Sequence, residues 1–143
     1  MGILSKESIR LNARVLNKKD AIYQCGKLLV DAGCVTQDYV DGMLAREEMM
    51  STYLGNGVAI PHGQFDNRSD ILNTCISVLQ VPDGVEWDEG EQAYLIIGIA
   101  ALRDEHVSVL ANLAEAIDDE ETAIKMRTTT DVNTILDYLN KEN

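Results

Sequence analysis

The run Tyr94-Leu95-Ile96-Ile97-Gly98-Ile99-Ala100-Ala101 constrains the fold more than any other stretch of the chain. It is apolar without alternation, the pattern of a central strand covered on both faces. A sheet holding such a strand needs helices on each side. Asn17 can cap a helix over 18–32, where Ile22, Cys25, Leu28, Leu29 and Ala32 share one face, and Gly33 supplies its stop. A second helix over 37–49 turns Tyr39, Val40, Met43 and Leu44 inward, weakened but not forbidden by Gly42. After the long strand, a helix from about Glu105 presents Val107, Leu110, Ala111, Ala114 and Ile117 as a stripe, with Asp104 as its cap. A short helical turn near 120–127 and a last helix over 131–140, burying Val132, Ile135, Leu136 and Leu139, complete the set.

Three further stretches read as strands. A short edge strand lies within 8–16, around Ile9 and Leu11. Gly55-Asn56-Gly57 signals a turn, and Val58-Ala59-Ile60 a strand that Pro61 ends or pushes to an edge. The stretch 71–81 reads as a strand ending in the turn Pro82-Asp83-Gly84. Helices come first, then strands, then helices. The expected fold class is therefore α/β of the α+β kind, a mixed sheet with helices on both faces rather than a βαβ repeat. With 143 residues and no internal repeat or composition break, one domain is expected over 1–143.

The formal charge of −12 argues against nucleic acid and anionic membrane, both of which would repel the chain. It would draw a basic protein partner, or it could simply serve solubility. The three cysteines, Cys25, Cys34 and Cys75, are odd in number and lack CxxC spacing, so neither a disulfide framework nor a thiolate zinc site is expected. Cys25 and Cys75 read as small core residues. Gly2 is followed by Lys6 where a myristoylation motif needs Ser or Thr, and no segment approaches a membrane span. A cytoplasmic address is expected. Neither GxxxxGK[ST] nor GxGxxG occurs, so no nucleotide or other cofactor is indicated.

His62 and His106 are the only histidines, and each follows a strand. Pro61 fixes its own φ and restrains Ile60, while Gly63 allows close approach of a partner or an anion. An imidazole on such a stiff edge suits a nucleophile that must meet an in-line phosphoryl donor. Its unperturbed pKa near ~6.5 leaves much of it neutral, with a lone pair on one ring nitrogen. The phosphoramidate it forms is labile, whereas a serine ester would trap the group. His106 falls in the first turn of a helix, where it could bond a phosphoryl oxygen on His62. Arg46 could grip phosphate through two parallel bonds. Other readings stand beside these: an exposed loop histidine at 62, a partly buried helix residue at 106, a solvated Arg46. A two-histidine metal site assisted by Asp104 and Glu105 is also conceivable, but HExxH spacing is missing.

Ala45-Arg46-Glu47-Glu48, followed by the run Thr52-Tyr53-Leu54-Gly55-Asn56-Gly57-Val58-Ala59-Ile60-Pro61-His62-Gly63, resembles the signature of the IIA components of the phosphoenolpyruvate-dependent sugar phosphotransferase system, mannitol/fructose class. The stretch Ile97-Gly98-Ile99-Ala100-Ala101, with Asp104-Glu105-His106 and Leu110-Ala111-Asn112-Leu113-Ala114, resembles a second landmark that points to the mannitol type. The likeness runs over nearly the whole chain. It implies a mixed five-stranded sheet and a phosphocarrier. His62 would accept a phosphoryl group from the carrier HPr, as a tele-phosphohistidine, and pass it to a cysteine of a IIB domain for coupled sugar uptake. His106 would assist the transfer and Arg46 would hold the phosphate. A regulatory, nitrogen-type IIA on the same fold is the alternative. The chain ends soon after its last helix, which reads as a free subunit or an excised domain. The loop Glu86-Trp87-Asp88-Glu89-Gly90 receives no role.

Overall fold

In the computed structural model, which describes residues 3–63, 69–102 and 105–140, the long apolar run forms the middle strand of a five-stranded mixed sheet. A 3-10 turn at Lys6–Ser8 leads into β1 (Ile9–Arg10), followed by α1 (Lys18–Asp31) and α2 (Gln37–Met49). Then come β2 (Tyr53–Gly55), β3 (Val58–Ala59), β4 (Cys75–Asp88) and β5 (Glu91–Ala100). Three helices close the chain: α3 (His106–Asp118), α4 (Glu120–Thr128) and α5 (Val132–Leu139). The strand order is β1-β4-β5-β3-β2. β1 and β4 pair in parallel, as do β3 and β5, while β4–β5 and β2–β3 are antiparallel.

β5 divides the core as its sequence requires. Leu95, Ile97 and Ile99 face α3–α5, while Ala93, Ile96 and Ala100 face α1 and α2. Both layers are buried, so a polar residue at either set of positions would lose apolar contact on one side. Asn17 caps α1 as expected: its side chain accepts from the Asp20 N–H at 2.9 Å. Gly33, at φ +75°, ends the helix, and the Cys34 N–H reaches back to Leu29 O at 3.0 Å. The hairpin joining β2 and β3 turns on Asn56 and Gly57, both at positive φ. This is the primed turn that an Asn-Gly pair favours.

Several expectations need correction. The turn assigned to Pro82-Asp83-Gly84 does not reverse the chain; β4 runs through it, with an irregular register between Gln80 and Val85. Gly84 absorbs the irregularity at φ +77°, and Pro82 is exposed where the ladder is broken. Ile71 lies outside β4 and pairs instead with Val35 in an isolated bridge. β1 is only two residues long, because Asn12 turns to positive φ directly after Leu11. β2 was not foreseen as a strand. On α1, Ala32 is exposed, and Ala21 and Gly26 join the buried face instead.

The stripe expected on α3 is out of phase. Val109, Leu113 and Ile117 are buried, whereas Val107 is 77% exposed and Ala111 and Ala114 face outward. This helix is apolar over most of its circumference, so periodicity alone allowed more than one stripe. Asp104, the expected cap, lies outside the described residues. Cys34 and Cys75, 41 residues apart, form a disulfide, against the expectation drawn from their odd number and spacing. The Val35–Ile71 bridge brings the two segments together. Cys25 is buried in the core as expected, and burial pushes its thiol well above the usual range. No described helix is long and apolar enough to cross a membrane.

Candidate functional site at the end of the third strand

β3 is short because Pro61 cannot donate to a ladder, and His62 follows directly. The chain nevertheless stays beside β5. The Ile99 N–H donates to Pro61 O at 3.0 Å, and His62 pairs with Ile99 in an isolated parallel bridge. On the other side, the Ile60 N–H donates to Thr52 O at 3.0 Å, which ties the strand end to the residue preceding β2. The backbone of the Pro61-His62 step is therefore held from both flanks.

The ring of His62 is half-buried, with Nδ1 lying 2.9 Å from the carbonyl oxygen of Ile60. A carbonyl only accepts, so in the neutral imidazole the proton sits on Nδ1 and the lone pair on Nε2. This is the tautomer a nucleophile acting through Nε2 requires. Beyond His62, the Gly63 N–H donates to the Tyr39 hydroxyl at 2.9 Å, and that hydroxyl donates to Ile99 O at 2.7 Å. A side chain at Gly63 could not be accommodated: a Cβ would stand 2.5 Å from the Tyr39 ring. Tyr39 is 3% exposed, and burial pushes its phenol up to about 12, so the hydroxyl stays protonated at neutral pH.

Arg46 occupies the last turn of α2, with Nη1 donating to Met50 O at 2.7 Å. Among the described residues, no hydrogen bond joins it to His62. His106 opens α3, and its backbone follows the same end of β5 at which His62 pairs. Its side chain lies outside the described part of the structure. Ahead of α3, the Thr74 hydroxyl donates to Glu105 Oε1 at 3.0 Å and accepts from the Leu102 N–H at 2.9 Å. The structure thus gathers His62 and the start of α3 at one end of the sheet. A cavity of about 660 Å3, lined by residues that include Gln80, Tyr94 and Arg127, lies towards the opposite end of β5. It is not part of this site.

Sequence reasoning missed a second polar centre beside the site. Glu47 is 7% exposed and accepts from the Thr52 N–H at 2.9 Å, the Thr52 hydroxyl and Trp87 Nε1 at 3.1 Å. Lys18 Nζ lies 3.0 Å from the same carboxylate and 5.3 Å from the centre of the Trp87 ring. Trp87, which received no role above, is thus a buried residue of β4 and a donor. The alternation Val85-Glu86-Trp87-Asp88, inward and outward by turns, was the available signal. On α2 the helical period places Glu47, but not its exposed neighbour Glu48, at the centre of the face that holds Tyr39, Val40, Met43 and Leu44, and this was the available signal.

Known proteins resemble this chain in sequence and fold. The chain is 50% identical over 129 residues to a multiphosphoryl transfer protein of Haemophilus influenzae, matching 90% of this chain and 26% of that protein. It therefore spans about a quarter of that relative's length. The mannitol-specific phosphotransferase enzyme IIA component of Bacillus subtilis is 45% identical over 121 residues, 85% of each chain. Among solved structures, the complex of enzyme IIA mannitol and phosphorylated enzyme IIB mannitol from Escherichia coli aligns with a TM-score of 0.89 and 37% identity, over 94% of this chain and 95% of that one. The nitrogen regulatory protein IIA-Ntr of Neisseria meningitidis is more distant in sequence, at 25% identity with a TM-score of 0.79 over 96% of each chain. The description of the phosphoenolpyruvate-dependent sugar phosphotransferase system, EIIA 2, matches residues 2–142, and the chain belongs to that family.

Proposed function

We propose that this protein is a phosphocarrier of a bacterial sugar phosphotransferase system, with His62 as the phosphoryl acceptor. The observation that carries the reading is the bond from His62 Nδ1 to Ile60 O. It leaves the lone pair at Nε2 on a strand end whose backbone is held on both sides. In the first step Nε2 attacks the phosphorus of phospho-HPr, the donor's N–P bond breaks, and a new N–P bond forms on His62. The imidazole gains positive charge as this happens, and the Ile60 carbonyl dipole on Nδ1–H stabilises it. In the second step a cysteine thiolate of the IIB domain attacks the same phosphorus and the imidazole leaves. No cofactor is needed, because the donor supplies the energy of its N–P bond.

Arg46, half-buried at the end of α2, is the proposed grip on the phosphoryl oxygens. Its guanidinium carries more donors than the Met50 carbonyl uses. His106, at the start of α3, is the proposed assisting group. The charge of −12 suits a basic docking face on HPr, and a transient relay needs only a modest interface. The relatives named for mannitol favour transport of that polyol over the regulatory, nitrogen-type alternative, whose likeness is more distant. We place the reaction in the cytoplasm. Phosphoenolpyruvate, Enzyme I and HPr should together put an acid-labile phosphate on His62. Label on a different residue would refute the reading.

A further inference from the structure

We propose that Tyr39 is a positioning residue for phosphoryl transfer, its hydroxyl closing a hydrogen-bonded ring around the backbone of His62. The inference rests on the reading of His62 as acceptor and extends it to a residue that touches neither phosphate nor partner. The ring runs from Pro61 O to the Ile99 N–H at 3.0 Å, along Ile99 to its carbonyl, then 2.7 Å to the Tyr39 hydroxyl and 2.9 Å on to the Gly63 N–H. His62 is the residue enclosed. The backbone groups on either side of it, Pro61 O and Gly63 N–H, are both satisfied within this ring, so the backbone that carries the imidazole is tied at both flanks.

The same hydroxyl must accept from Gly63 and donate to Ile99 at once, which only a neutral phenol can do. Burial against α1 and the sheet keeps it neutral. Gly63 fits the arrangement, since a Cβ there would meet Tyr39 Cε1 at 2.5 Å and Cζ at 2.8 Å. A glycine at this position is therefore explained by the phenol as well as by access for a partner. Without the hydroxyl, Gly63 N–H and Ile99 O lose the group that braces them both, and the Pro61-His62-Gly63 segment is held to β5 only by its bridge to Ile99. In-line transfer is sensitive to misplacement of about 1 Å.

The test is Tyr39→Phe, which keeps the ring and removes only the oxygen. The rate of phosphorylation by phospho-HPr should fall on the order of 10-fold in kcat, with KM for phospho-HPr unchanged because the docking surface is untouched. Nitrogen NMR of the His62 ring should change from a single Nδ1–H tautomer to a mixture. A folded Tyr39→Phe protein with wild-type kcat and a wild-type tautomer would overturn the proposal, as would a change confined to KM. Should that variant fail to fold, Gly63→Ala carries the test. Its Cβ displaces the phenol, and unaltered kcat in the folded variant would equally overturn the role. Failure of the acceptor reading has a different signature, namely label that persists in His62→Ala.

Discussion

Glu47 and His62 lie on the same edge of the molecule and are linked through Thr52, yet their hydrogen bonding differs in kind. The Glu47 side chain itself is saturated: both carboxylate oxygens are engaged, by Thr52, Trp87 and Lys18. At His62 the backbone is held through Ile99, Thr52 and Tyr39, and the carbonyl of Ile60 orients the ring. Burying a carboxylate costs several kcal/mol unless it is fully paired, so saturation at Glu47 marks a structural joint. An imidazole that must take and release a group needs a stiff support and a side chain still able to react. On the reading proposed for His62, the difference teaches that rigidity belongs to its backbone and reactivity to its ring.

This contrast can be broken by substitution. The largest effect expected is His62→Ala, which should abolish labelling by phospho-HPr with no loss of fold, as seen by circular dichroism. Glu47→Ala should do the reverse. It strands the Trp87 and Thr52 donors and Lys18, so stability should fall by about 3 kcal/mol, measured by urea unfolding, while the folded fraction still takes label on His62. If Glu47→Ala proves neutral in stability, the joint is not structural.

The alkaline limb of the stability curve sharpens the comparison next. The Tyr39 phenol is raised from 10.0 to about 12 in the folded protein, burial being the main cause. Below pH ~10 both states hold the proton and the contribution is complete. As pH rises from ~10 to ~12 the unfolded state releases its proton first, and roughly 3 kcal/mol of stability is lost. Tyr39→Phe should flatten that decline, and equal slopes for the two proteins would count against the burial argument. The smallest effect is expected for Arg46→Ala, which should weaken phosphoryl stabilisation by roughly 1–3 kcal/mol. An unchanged phosphohistidine lifetime and unchanged rates would remove Arg46 from the site.

What the sequence made legible follows from how local each signal is. The Tyr94–Ala101 run, the Asn17 cap, the Gly33 stop and the Asn56-Gly57 turn depend on neighbouring residues, and all appear in the structure. His62 stood out because Pro61 and Gly63 flank it, and the structure places it beside the end of β5. Tyr39 was recognised only as an inward residue, since its role depends on Ile99, 60 residues away. The same applies to Glu47 with Trp87, 40 residues apart, and to Cys34 with Cys75. Helix α3 failed for another reason: an excess of apolar residues made its phase ambiguous. The Pro82-Asp83-Gly84 bulge reads locally like a turn, because both use Pro and Gly to leave the ladder.

The central claim is that the bond from Nδ1 to Ile60 O leaves Nε2 as the nucleophile. Phosphorus and nitrogen NMR of the phosphorylated protein tests it directly, by showing which ring nitrogen of His62 couples to phosphorus. The account predicts coupling to Nε2, with Nδ1 still protonated. Phosphate on Nδ1 would contradict it, because that atom could not then donate to Ile60.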